Sequence, residues 1–117
     1  MRLLLPGLGL GLLMSSLVMA QTLTAPFDLR DPEVIESGRR AFNRHCDGRC
    51  HGIDGVQGMD GPKLNGKDYL TPEFVYVTIT GGRPGTAMPS WKDRLSVADL
   101  WRISAYVASL QQRLGSK

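Results

Sequence analysis

Two thiols and an imidazole lie close together in this chain, at Cys46, Cys50 and His51. Two thiols can add to the two vinyl groups of a haem, and an imidazole directly after the second can bind the iron from below. The usual attachment signature has two residues between the cysteines, whereas this chain has three: Asp47, Gly48 and Arg49. Because glycine adopts backbone conformations closed to other residues, we expect the extra residue to bulge out at Gly48.

Other arrangements of these groups stay open at the level of sequence. Haem attachment through one cysteine, or through neither, is compatible with the unusual spacing. A disulfide between Cys46 and Cys50 would close a very small loop, which would stabilise little. A zinc site would recruit His45 together with Cys46, Cys50 and His51. Neighbouring side chains rarely converge on one metal, so zinc ranks below haem.

Residues 1–20 have the pattern of a secretory signal peptide. Arg2 provides a positive start, an apolar run extends to Val18, and Val18-Met19-Ala20 fits cleavage after Ala20. The alternative is an uncleaved membrane anchor, which the proline, the glycines and the short apolar core of this segment disfavour. We therefore expect export to the periplasm and one domain over residues 21–117.

Charge and composition exclude some partners. The formal net charge is only +3, and the chain has no dense lysine and arginine run, so nothing indicates a nucleic-acid partner. No second apolar run is long enough to cross a bilayer, so no membrane span is expected after cleavage. A domain this small buries a modest fraction of its surface, so a cofactor that fills its core would contribute to stability.

Three segments carry helix signals. Asp31 followed by Pro32 predicts a helix that begins there and runs to about Asn43. The cap-proline-acid pattern at 71–73 and the glycines at 81–82 predict a second helix, although residues 74–80 have strand propensity. Ser96 begins a third pattern, with Leu100, Ile103, Val107, Leu110 and Leu114 on one face and Gly115 as the end. The sequence therefore predicts an all-α domain.

Two glycine- and proline-rich loops, residues 52–66 and 81–90, separate these helices. Loops this long in a small domain usually serve a function or enclose something. If haem is bound, Met88 in the second loop is the best candidate for the sixth iron ligand, because methionine opposite histidine is the pattern of electron carriers. Met59 is the competitor, and core filler is the alternative role for any methionine.

Several residues are candidates for the haem surroundings. The carbonyl of Pro62 can accept a hydrogen bond from the second ring nitrogen of His51, which would orient the imidazole, and Leu64 can pack on the ring. Trp91 can pack on the haem or donate its indole N–H to a propionate, although core packing is the simpler role for it and for Trp101. Four cations can surround the exposed haem edge or be ordinary solvated surface: Arg49, Lys63, Lys67 and Arg83.

Taken together, these motifs resemble the small class I monohaem cytochromes c of bacteria. Gly38 and Phe42 stand where that family has a glycine and an aromatic residue before the first cysteine. Gly61-Pro62-Lys63-Leu64 is similar to its Gly-Pro-x-Leu turn, and Ala87-Met88-Pro89-Ser90-Trp91 is similar to its axial-methionine loop. Ile103, Ala105 and Tyr106 match positions of its last helix, and the likeness extends from about Asp31 to Leu110.

The resemblance implies a cytochrome c fold of three main helices and loops around one covalent haem c. It implies thioethers at Cys46 and Cys50, His51 and Met88 as axial iron ligands, and a close crossing of the first and last helices at Gly38. The implied function is one-electron transfer by a monomer that cycles between Fe(III) and Fe(II), rather than enzymatic catalysis. Its partners would be redox proteins, a periplasmic dehydrogenase or a terminal oxidase.

The loop 81–88 also looks like that of cytochromes which accept electrons from quinoprotein alcohol dehydrogenases. Two rival functions remain. A haem enzyme or gas-binding haem protein would need an open sixth position, with Met88 as core filler. A haem-free module would instead place a metal or a disulfide at Cys46 and Cys50.

Overall fold

The computed structural model describes residues 2–4, 7 and 23–112, so nearly all of the expected signal peptide lies outside the described residues. Within residues 23–112 the regular elements are helical, and no strand is present. The three main helices are α1 (Pro32–His45), α2 (Pro72–Gly81) and α3 (Val97–Gln112). The all-α prediction is confirmed. None of the described helices is long and apolar enough to cross a membrane.

Helix α1 begins as its sequence predicts. The Asp31 side chain accepts a hydrogen bond from Glu33 N at 2.9 Å, and Pro32 occupies the first helical turn. The helix continues past the expected end at Asn43 and includes His45, because the backbone N–H of Cys46 still donates to Phe42 O at 2.7 Å. This extra half turn carries the helix directly into the first cysteine.

Helix α2 forms although its residues favour a strand. Thr71 Oγ1 accepts from Phe74 N at 3.2 Å and so caps the first turn. Val75 and Ile79 are buried whereas Val77 between them is 55% exposed, which a strand would not give, because it would place all three on one face. The helix ends at Gly82, whose φ of 68° lies in the region that glycine tolerates best.

Helix α3 supplies most of the core. Ser96 Oγ accepts from Asp99 N at 3.1 Å, as the capping pattern predicts. The expected apolar face is buried at Leu100, Ile103, Val107 and Leu110. Leu114 and Gly115, where we expected the helix to end, lie outside the described residues.

Helices α1 and α3 cross closely at Gly38. A Cβ atom at this position would lie 2.6 Å from the carbonyl carbon of Arg102, so no other residue fits without separating the helices. The close approach brings the rings of Phe42 and Tyr106 to 5.5 Å between centroids. On the other side of α3, Trp101 stacks on Tyr76 of α2 at 4.0 Å, which confirms core packing for this tryptophan.

Candidate functional site

A cavity of ≈ 380 Å³ lies among the three helices and the two long loops. Its wall is mostly apolar, with Ile103 and Val107 from α3 and Val75 and Ile79 from α2. The chemically active side chains singled out in the sequence line the same cavity: Cys46, Cys50, His51 and Met88. Residues far apart in the chain thus converge on one cavity.

The extra residue between the cysteines is absorbed within a single turn, Asp47–His51. His51 N donates to Cys46 O at 3.2 Å and Gly52 N donates to Asp47 O at 3.0 Å, so both bonds span five residues instead of the usual four. Gly48 departs from helical dihedral angles (φ 12°, ψ −126°), and open space surrounds the position where its Cβ would lie. The insertion therefore bulges outward at Gly48, as expected.

The two thiols lie in different environments. Cys46 is buried while Cys50 is exposed, and neither forms a disulfide. Burial, reinforced by the nearby Cys50 and Asp47, raises the pKa of the Cys46 thiol to about 12. Among the described residues, no three His, Cys, Asp or Glu side chains are placed to hold one metal ion, so the geometry does not favour the zinc alternative.

The imidazole of His51 is held by the loop that follows it. Nδ1 lies 2.8 Å from Pro62 O, the contact that the sequence predicted. Because a carbonyl can only accept, Nδ1 carries the hydrogen and Nε2 keeps its lone pair. Gly61 N donates to Cys50 O at 2.8 Å, and a Cβ at Gly61 would lie 3.0 Å from the ring. The loop thus presses its backbone against the imidazole and orients Nε2 as a ligand atom.

Met88 is held by its own loop on another part of the cavity wall. Its carbonyl accepts from Arg83 N at 3.1 Å, and its N–H donates to Thr86 Oγ1 at 3.2 Å, which closes the loop into a compact turn. The Met88 side chain is half-buried and lines the cavity. Met59 is 60% exposed and lies off the cavity, so the structure separates the two candidate methionines.

A polar contact that the sequence did not predict ties the loop after His51 to α1. Asn43 Nδ2 donates to Asp54 Oδ1 at 2.9 Å, and Asp54 N donates back to Asn43 Oδ1 at 3.0 Å. Arg39 reaches the same carboxylate at 3.5 Å, and the Tyr106 hydroxyl donates to Asp54 O at 3.0 Å. The hydrogen bond from Asn43, followed by that from Arg39, lowers the pKa of Asp54.

Gln111 of α3 was also missed. Its Oε1 accepts from Lys67 N at 2.6 Å, and its Nε2 donates to Leu64 O. Both contacts fasten residues 64–67 to α3 and bring Leu64 to the cavity wall, where we expected it. No local pattern could have revealed these two contacts, because Lys67 and Leu64 lie more than 40 positions away in the sequence.

Trp91 is not one of the residues that line the cavity, so its place in the haem surround stays a prediction. Its backbone N–H donates to Ile79 O at 2.9 Å beside the end of α2. Its ring packs edge-on against His45, 5.9 Å between centroids, and lies beneath the Arg94 guanidinium. The indole N–H is buried without a hydrogen-bond partner among the described residues.

The donor set fits a c-type haem. The cavity offers an apolar enclosure, two thiols on one turn, an imidazole with a free Nε2 and a thioether sulfur, which are the groups that such a cofactor needs. His51, and Met88 if it ligates, would hold the iron, while Cys46 and Cys50 would hold the porphyrin edge. Bound haem supplies one-electron exchange at iron.

Comparison with known proteins leads to the same assignment. Residues 33–107 match the protein family described as cytochrome c oxidase, cbb3-type, subunit III. The chain is 32% identical over 89 residues to the cbb3-type cytochrome c oxidase subunit FixP of Sinorhizobium medicae. That match covers 67% of this chain but only 30% of FixP, so the chain spans less than a third of that relative.

Two solved structures share the fold. Cytochrome CL from the marine methylotrophic bacterium Methylophaga aminisulfidivorans is 32% identical with a TM-score of 0.60, over 71% of this chain and 57% of that one. The c-type cytochrome NirC is 28% identical with a TM-score of 0.53, over 68% of this chain and 93% of that one. The chain therefore belongs to the cytochrome c family that includes subunit III of cbb3-type oxidases, with a cytochrome c fold, a covalently bound haem c and a role in electron transfer.

Proposed function

We propose that this protein is a periplasmic one-electron carrier in which His51 and Met88 hold the haem iron in both oxidation states. The observation that carries the proposal is that both side chains line one apolar cavity, His51 from the turn that follows α1 and Met88 from the loop 81–90. Each loop is closed by its own hydrogen bonds, at Pro62 for His51 and at Arg83 for Met88. Two ligands that stay in place on electron transfer keep the reorganisation of the site small.

The roles of the residues follow from their contacts. Pro62 fixes the tautomer and the ring orientation of His51 and makes the imidazole a stronger donor through Nε2. Met88 supplies a soft sulfur, which favours reduced iron and raises the reduction potential. Cys46 and Cys50 would hold the porphyrin through thioethers, each thiol adding its S–H across one vinyl group, an addition that would need no oxidant or reductant.

The partners and location are part of the same proposal. The signal-peptide pattern of residues 1–20 supports export to the periplasm. Covalent haem attachment and electron exchange with other redox proteins would occur in that compartment. The likeness to FixP, a cbb3-type cytochrome c oxidase subunit, supports a terminal oxidase as acceptor, and the resemblance of the loop 81–88 supports a dehydrogenase as donor. We propose a monomer that meets these partners briefly through a small interface.

Replacement of Met88 tests the ligand assignment. In holoprotein matured with a c-type system, we expect Met88→Ala to keep its covalent haem, lose the sulfur-to-iron absorption band, lower its reduction potential and bind carbon monoxide when reduced. Met59→Ala is the matched control, since Met59 lies off the cavity, and it should behave as wild type. An unchanged spectrum for Met88→Ala would remove Met88 as ligand.

The wild-type protein tests the rival function in the same experiment. A carrier whose sixth position is filled by Met88 should bind carbon monoxide slowly or not at all at neutral pH. Ready binding would instead support a haem enzyme or gas-binding protein with an open position. Intact mass addresses the haem-free alternative, because an unmodified chain after maturation contradicts the carrier.

A further inference from the structure

Two cationic side chains, Lys67 and Arg83, belong to the wall of the cavity that holds His51 and Met88. Lys67 is half-buried and Arg83 is exposed, so both lie where the cavity opens to the surface. Of the other cations first considered, Lys63 is exposed and off the cavity wall, and the side chain of Arg49 is not described. Of the four cations considered in the sequence, the structure thus places Lys67 and Arg83 on the cavity wall.

Neither cation is paired with a carboxylate among the residues that the structure describes. Within residues 23–112, the ion pairs involve other side chains, and the one carboxylate on the cavity wall, Asp60, is paired with neither Lys67 nor Arg83. Two uncompensated positive charges at the mouth of an apolar cavity favour a ligand with an apolar body and anionic ends. Haem is such a ligand, since its ring is apolar and it carries two carboxylates.

The backbones of both residues are fixed independently of their side chains. Lys67 N donates to Gln111 Oε1 at 2.6 Å, and Arg83 N donates to Met88 O at 3.1 Å. The side chains themselves form no hydrogen bond with other described residues. Both side chains can therefore bind a ligand. Replacing them should leave the backbone hydrogen bonds of the two loops intact.

We propose that Lys67 and Arg83 are the anion-binding groups of this haem site and pair with its two propionates. The inference rests on the bound haem that the proposed carrier function requires. Carboxylates entering a site with apolar walls are costly unless they are paired, and two cations match two propionates. The planar fork of Arg83 can bind a carboxylate through two parallel hydrogen bonds, whereas Lys67 acts as a single charged donor.

The pairing has an electrochemical consequence. A positive charge near the haem disfavours Fe(III), because the ferric site carries one more positive charge than the ferrous site. Removal of either cation also leaves a propionate charge uncompensated, which stabilises Fe(III) further. Loss of Lys67 or Arg83 should therefore lower the reduction potential.

The test compares matured holoprotein variants of equal charge. We expect Arg83→Gln and Lys67→Gln to lower the reduction potential and to shift the NMR signals of the propionate methylene protons. Arg44→Gln removes the same charge from an exposed α1 position off the cavity and should do neither. Arg83→Lys should restore most of the potential, because it keeps the charge.

Potentials and propionate signals that match those of Arg44→Gln would overturn the inference while leaving the carrier function intact. The inference would also be overturned if the variants differed from the control only in their rate of oxidation by ferricyanide. That result would assign the two cations to the steering of anionic partners. A protein that matures without haem would instead contradict the carrier function itself. The absorption band of the Met88–iron bond, if retained, shows that the variants have kept their fold.

Discussion

The insertion at Gly48 changes the backbone hydrogen-bond pattern of its turn but leaves the two thiols and the imidazole facing the cavity. His51 N still bonds to Cys46 O, although one more residue lies within the ring that this bond closes. Both cysteines and the histidine remain on the cavity wall. The unusual spacing is therefore compatible with the chemistry of the usual signature, because the bulge points into open space.

Deletion of Gly48 should consequently be tolerated. The bond from His51 N to Cys46 O would then span four residues, as in an ordinary α-helical turn. We expect the deletion variant to carry one covalent haem with an unchanged spectrum, measured by intact mass and visible absorption after c-type maturation.

Deletion of Gly61 is the matched control for that variant. Gly61 bonds to Cys50 O and packs against the His51 ring, so its loss should weaken haem attachment or alter the spectrum. If deletion of Gly48 instead abolished attachment while deletion of Gly61 did not, the account of the bulge would be wrong.

At the scale of elements, α1 and the loop after His51 are joined by side chains more than by backbone. Asn43 and Asp54 exchange two hydrogen bonds, and Arg39 connects the same carboxylate to Glu36. Asp54 has a φ of 57°, a conformation that aspartate and asparagine tolerate better than most residues. These contacts hold the loop whose far end orients His51.

This contact predicts a pH dependence of stability. Hydrogen bonds from Asn43 and Arg39 lower the pKa of Asp54, and a hydrogen bond from Arg39 lowers that of Glu36. A carboxyl with a depressed pKa in the folded state stabilises the fold above its unfolded pKa of about 4, and this contribution is lost as pH falls below that value. We expect the free energy of unfolding to decrease as pH is lowered from about 5 to about 2.

The isosteric variant Asp54→Asn separates this contribution from general acid denaturation. Its unfolding free energy should be lower at neutral pH and should fall less steeply with acidification, measured by denaturant titration at each pH. Asp93→Asn changes an exposed carboxyl outside the loop and should retain the wild-type slope. Equal slopes for all three proteins would show that Asp54 does not contribute.

At the scale of the whole molecule, the haem site is continuous with the hydrophobic core, because Phe42, Ile103 and Val107 belong to both. The three helices surround a cavity of ≈ 380 Å³ instead of filling it with side chains. Without a cofactor, the mostly apolar wall of this cavity would stay in contact with water, and a domain this small has little other apolar burial to stabilise it.

The chain without its cofactor should therefore fail to fold cooperatively. We expect protein produced without the maturation system to lose near-ultraviolet circular dichroism, to exchange its amide hydrogens rapidly and to unfold without a sharp transition. The matured holoprotein, prepared in parallel, should unfold cooperatively. A haem-free chain with the same transition as the holoprotein would mean that the helices pack without the cofactor.

Short sequence patterns predicted much of the fold. The three helix starts depend on caps formed within a few residues, at Asp31, Thr71 and Ser96, so sequence neighbours suffice to predict them. The helical state of α2 was harder, because its residues favour a strand. Burial of Val75 and Ile79 against α3 decided it, and a tertiary contact of that kind has no local signature.

The sequence alone determined the donor set, because two thiols, an adjacent imidazole and a methionine between prolines and glycines carry their chemistry wherever the chain places them. Only the tertiary structure decided which residues share the cavity. It placed Met88 rather than Met59 on the cavity wall, and it placed Lys67 and Arg83 there but not Lys63. The physical reason is that residues in separate loops meet only when the helices between them have packed, as Gly38 permits for α1 and α3.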